Sequence, residues 1–189
     1  MRWRISTLFL VSFLATGCGS SDSQTPSVAD TDSGADASQS TVFQADAIPD
    51  GPSLSIDVDT SHPEAPVARV VGHQLGSVFG IACHVVFTGS TFSAHDPVVQ
   101  PFLGADEAGK ARYLAKASPT EVALAGVRRG VAAGEIELPD PVVIGTVPIA
   151  IGSAGTVRIE LSQAQVRRAD GTWTAVKLAG GNLQLGGAP

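Results

Sequence analysis

From residue 78 to 87 every second position is apolar: Phe79, Ile81, Cys83, Val85 and Phe87. Side chains alternate between the two faces of a strand, so this spacing predicts a strand with one face in a core. The opposite face, Val78, Gly80, Ala82, His84 and Val86, is apolar enough for a central strand covered on both sides. A preceding strand is expected over 67–71, with its turn at 72–76.

The C-terminal third carries the same signal three more times. Residues 142–151 are a near-continuous apolar run, and Gly152-Ser153-Ala154-Gly155 is a turn. Val157, Ile159 and Leu161 then alternate with Thr156, Arg158 and Glu160. Beyond Leu161 the parity switches to Ala164 and Val166, which predicts a β-bulge near Ser162. Asp170-Gly171 stands between this strand and another over 172–178, a strong hairpin signal, and 182–185 forms a short last strand.

Residues 105–134 read differently. Their Ala, Lys, Arg, Glu and Leu content favours helix, Ser118-Pro119-Thr120-Glu121 has capping-box spacing, and Leu124, Val127 and Val131 fall on one helical face. Gly126 and Gly130 each weaken such a helix by about 1 kcal/mol, which leaves a strand over 121–127 as the alternative. The expected fold is mainly β, a β-sandwich-like or α+β domain built as an antiparallel meander with one or two inserted helices.

Composition divides the chain. Residues 19–60 hold eight acids and no Lys, Arg or His, whereas 61–189 hold ten acids against ten bases. The formal net charge is -6, and the only adjacent bases are Arg128-Arg129 and Arg167-Arg168, so no positive stripe marks a nucleic-acid partner. The Ser-, Thr- and Asp-rich stretch offers too little apolar surface to offset its conformational entropy. Residues 18–60 are therefore expected to be a disordered tether spanning roughly 35 to 40 Å, with 61–189 as a single mainly-β domain. The Asp-rich run at 30–36 lacks the terminal Glu and flanking helices of an EF-hand.

The first residues form a separate unit: Arg2 and Arg4, an apolar run from Ile5 to Ala15, then Leu14-Ala15-Thr16-Gly17-Cys18. The run is too short to span a bilayer permanently. This segment resembles the signal peptide and lipobox of bacterial lipoproteins, and the resemblance is confined to the first 19 residues. It implies removal of residues 1–17 and acylation of Cys18 with diacylglycerol and palmitate. A Gly at position 19 implies sorting to the outer membrane. That covalent lipid is the one cofactor expected, and several acyl chains on one residue make attachment effectively permanent.

Chemistry-bearing residues are few. Cys83-His84 sit next to each other on a strand and point to opposite faces, so they form no nucleophile–base pair, and Cys83 is expected as a buried free thiol. His62, His73, His84 and His95 are evenly spaced without shared neighbours, too dispersed to predict a zinc site. His95-Asp96-Pro97 falls in a loop near Ser90, Thr91 and Ser93, where an Asp could orient a His base. Gly126-x-x-x-Gly130 reads as a close-packing spot. No nucleophile elbow, phosphate loop, dinucleotide fingerprint or His-Glu-x-x-His occurs.

Two readings stay open. The first is a non-enzymatic, membrane-anchored envelope lipoprotein with a structural or binding role toward a protein or glycan, presenting a broad patch that includes Trp173. The second is a tethered hydrolase or metal-dependent enzyme using His95 and Asp96, with His84 as a further candidate. As a subunit of a larger assembly, it would leave an apolar edge strand uncovered.

Overall fold

The computed structural model describes residues 41–89, 92–104, 110–130 and 134–186. The signal segment, Cys18, Ser90, Thr91 and Val131 lie outside them. Fifteen strands are present among the described residues: β1 Val42–Ala45, β2 Ser53–Asp59, β3 Val67–His73, β4 Ser77–Val78, β5 Gly80–Gly89, β6 Phe92–Ala94, β7 Val98–Val99, β8 Ala111–Ala117, β9 Glu121–Arg128, β10 Ile136–Glu137, β11 Val142–Ile151, β12 Gly155–Arg167, β13 Trp173–Ala175, β14 Lys177–Ala179 and β15 Gly181–Leu185. One sheet runs β1-β15-β12-β5-β9-β8, with β13 also on β12. The other runs β14-β2-β3-β11-β6, with β7 also on β11, and β10 pairs with β4 in a short ribbon.

Facing side chains of the two sheets make one core. Ile81, Cys83, Val85 and Phe87 of β5 are all buried, as their alternation requires, and they meet Leu54, Ile56, Val70, Ile144 and Val147 of the opposite sheet in one hydrophobic cluster. The fold is a mainly-β sandwich, antiparallel throughout except where β14 runs parallel to β2.

Several local expectations hold to the residue. β11 spans the apolar run, and the Asp170-Gly171 turn closes with Gly171 at φ +87° and the Arg168 amide donating to Thr172 O at 2.9 Å. Between Ser162 and Gln165 the register of β12 against β5 slips by one residue, with Gln163 at φ +50°. That bulge lets Leu161 and Ala164 both face inward despite their opposite parity.

Three expectations are corrected. The predicted helix is a β-hairpin, because Val122 and Leu124 are buried at a spacing of two and β9 pairs with both β8 and β5. Its Ser-x-x-Glu sequence is the hairpin turn, where the Ser118 amide and hydroxyl both donate to Glu121 O, at 2.7 and 3.0 Å. Tertiary pairing overrides the helix propensity of the alanines. No helix occurs among the described residues.

The C-terminal third is not a meander within one sheet. β11 and β12 are consecutive but lie in opposite sheets, and the single strand expected over 172–178 is divided into β13 and β14, one in each sheet. The domain also begins earlier than residue 61. Leu54, Ile56 and Val58 repeat at a spacing of two, are buried, and place β2 between β3 and β14. β1 lies on β15, where the Phe43 ring covers Gly181 so closely that a Cβ there would overlap it. Residues 41–60 thus belong to the sandwich.

Candidate functional site

The expected histidine chemistry is dispersed. His62 is exposed beside Glu64 at 3.8 Å, and His73 Nε2 shares a hydrogen bond with Ser55 Oγ at 2.8 Å. His84 Nδ1 contacts the Glu121 carboxylate, and His95 Nε2 lies 2.7 Å from Ser93 Oγ. His84 is on β5 of one sheet, whereas His95 follows β6 of the other, so they do not converge. No group of three or more metal-ligating side chains occurs among the described residues.

Ser93 and His95 do meet, but Asp96 takes φ +32° and makes no hydrogen bond to the imidazole among the described residues. The third member of a relay is therefore missing from this arrangement. Cys83 is fully buried, and desolvation pushes its thiol up to about 12, so almost no thiolate exists at neutral pH.

A more extended feature is the outward face of the β8-β9-β5-β12 sheet. Strand register sets its side chains in rows. One row is Leu114, Ala125, Ala82 and Gln165; the next is Lys116, Ala123, His84 and Ser162. A third brings together Arg112, Val127, Gly80 and Arg167. Apart from His84, the two central strands present Ala, Gly and Val in these rows, and apart from Ser162 the flanking strands present long side chains. With strands about 4.8 Å apart, this makes a shallow trough roughly 14 Å wide between walls on β8 and β12.

Both ends of the trough carry polar structure. At one end lies a recess of about 250 Å³ lined by His84, Lys116, Ala117, Ser118, Glu121 and Ala123. It exists because Ala123 is the only side chain between Lys116 on β8 and His84 on β5 in that row. At the other end the Arg167 guanidinium lies 5.3 Å from the Phe79 ring centre and 5.9 Å from that of Trp173. Trp173 remains 47 % exposed, so the stack is open to solvent on its indole side.

The trough was hidden in the sequence because its floor is alanine, a residue that reads as helix former or core filler. The signal that marks it is Ala82, Ala123 and Ala125 alternating with fully buried aliphatic neighbours.

The backbone arrangement can be compared with solved structures. CaCohA2 of Clostridium acetobutylicum superposes with a TM-score of 0.56 at 13% identity, covering 74% of this chain and 94% of that one. The second type II cohesin module of the adaptor ScaA scaffoldin of Acetivibrio cellulolyticus gives 0.53 at 9%, covering 67% and 91%. The fold is that of a cohesin module. A further cohesin, the sixth of scaffoldin B of Acetivibrio cellulolyticus, was solved in complex with a Cel5 dockerin and gives 0.51 at 13%, covering 67% and 93%. No family model and no curated protein matches the chain. The cohesin-like sandwich here carries a sequence so far from these neighbours that the likeness extends to the fold alone.

Proposed function

We propose that this chain is a lipid-anchored module of the bacterial envelope that binds a partner protein through the trough on the β8-β9-β5-β12 sheet. The observation that carries the reading is the floor of that trough, where Ala82, Ala123 and Ala125 leave a flat, part-exposed sheet surface between long side chains. Backbone-close, low-relief surfaces favour a protein partner over a small molecule, which needs a deep enclosing pocket. The complex of a like-folded cohesin with a dockerin supports protein recognition as a use of such a sandwich.

Anchoring rests on the lipobox residues Leu14 to Cys18, with acylated Cys18 as the attachment point and Gly19 favouring the outer membrane. The test is site-specific photo-crosslinking in the native envelope. A benzophenone side chain at position 125 should yield a discrete protein adduct, and one at position 177, on β14 of the other sheet, should not. Absence of any adduct from 125, or equal adducts from both positions, would remove the trough as the binding surface.

A further inference from the structure

Charge on the trough is unbalanced. Its acids are already engaged, Glu121 with His84 and Glu160 with Arg158 Nε at 3.3 Å. On β8 the outward side chains run Arg112, Leu114 and Lys116, all exposed. Leu114 is 60 % exposed, more than any other large hydrophobic among the described residues. Neither Arg112 nor Lys116 makes a hydrogen bond or ion pair with an acid among the described residues. Alternate positions on a strand lie about 7 Å apart, so two free cations roughly 14 Å from each other bracket an exposed leucine.

We infer that the partner presents an acidic surface to β8, two carboxylates meeting Arg112 and Lys116 on either side of an aliphatic side chain that packs on Leu114. This rests on the reading of the trough as a protein-binding surface and adds the chemistry of what binds. Charge complementarity decides it. A basic partner would find both acids of the face taken and two cations opposing it, and like charges brought together at an interface are a specificity barrier. The recess beside Lys116, floored by Ala123, supplies room for one of the carboxylates to approach the ammonium from the sheet side. Two cations around one leucine are too few to track a nucleic-acid backbone, which keeps the assignment with protein.

The experiment uses the full-length protein in detergent and a fluorescent, end-blocked peptide of two Glu, one Leu and two Glu, read by anisotropy. The Gln counterpart of this peptide should bind at least tenfold more weakly. The double variant Arg112→Glu, Lys116→Glu should weaken the Glu peptide at least tenfold, whereas Lys177→Glu on the other sheet should change it less than twofold. Raising salt from about 50 to 300 mM should weaken the wild-type interaction severalfold. Equal binding of the Gln peptide, or indifference to the double variant with an unchanged thermal midpoint, would overturn the inference. So would a tenfold gain on replacing Asp22, Asp30, Asp32 and Asp36 by Asn, which would make the chain's own acidic N-terminal stretch the occupant.

Crosslinking from position 125 separates this inference from the reading beneath it. Wild-type adduct yield in the double variant would leave a protein-binding trough standing and remove the acidic partner. No adduct in the wild type would remove both.

Discussion

Arg158 grips Asp46 through both carboxylate oxygens, Nη1 to Oδ1 at 2.9 Å and Nη2 to Oδ2 at 2.5 Å, across 112 positions of sequence. The Gly180 amide donates to the same carboxylate at 3.2 Å. The pair ties the segment after β1 to β12 and to the start of β15, and it reinforces the Phe43 ring on Gly181. β1 has only four residues, and this fork and one aromatic ring reinforce its backbone pairing with β15.

That attachment should be sensitive to acid. The hydrogen bond from Arg158 holds the Asp46 carboxyl below its ordinary value, and the same contact raises Arg158. A carboxyl depressed in the folded state contributes stability that is complete above its unfolded pKa, about 4, and is lost as pH falls through the lower folded value. Both side chains are about a third exposed, so screening limits the contribution to roughly 1 kcal/mol or less. Relative to the intrinsic rate at each pH, amide hydrogen exchange in β1 should gain speed below about pH 4. In Asp46→Asn it should already be fast at neutral pH, and identical exchange in the two proteins at pH 7 would contradict the assigned role.

Cys83 should be silent in the native protein. A bulky disulfide reagent at pH 8 should label it only after denaturant is added, because the thiol is buried and its ionisation is suppressed. Rapid native labelling would mean that β5 opens far more readily than its central place in the sheet allows.

Gly126 should not tolerate a side chain. A Cβ there would stand 2.7 Å from the Phe102 ring and 3.0 Å from that of Tyr113. Those rings pack edge to face with centroids 5.8 Å apart, and the Leu103 amide donates to the Tyr113 hydroxyl at 3.0 Å. Gly126→Val should therefore lower stability by about 1 to 3 kcal/mol, the usual range for overpacking, as measured by urea denaturation. Leu124→Ala, two positions away in a fully buried site, should cost about 2 to 5 kcal/mol through the cavity it leaves. A smaller loss for Leu124→Ala than for a surface change such as Leu114→Ala would undo the description of the core.

Cys18→Ala should abolish acylation and release the protein from membranes. Metabolic labelling with palmitate reads this directly, and label retained on the variant would remove the lipid anchor from the functional proposal.

Much of the fold was legible wherever apolar and polar residues alternate cleanly. Phe79 to Phe87, Val157 to Leu161 and the parity switch at Ala164 each announce their strand, inner face or bulge. Alanine and serine blur this contrast. In 121–128 the alternation of Val122 and Leu124 with Ala123 and Ala125 sets apolar against apolar, so period two vanishes and helix propensity fills the gap. In 53–59 the pattern of Leu54, Ile56 and Val58 is intact, but the surrounding Ser and Asp residues submerge it in a disorder-like composition. Which sheet each strand joins was not legible, because the steps from β11 to β12 and from β13 to β14 depend on pairing between distant segments. The trough was hidden for the same reason: its rows combine residues from β8, β9, β5 and β12, and only the register sets them side by side.

The last two strands pair with the first two, β14 with β2 in one sheet and β15 with β1 in the other. Neither sheet reaches its full width until the segment ending at Leu185 has emerged, and the pairings that close both are the longest in sequence separation. A chain delivered N-terminus first therefore has no finished sub-structure to settle into along the way. It remains threadable until 177–185 have emerged, the stretch from which β14 completes one layer and β15 the other.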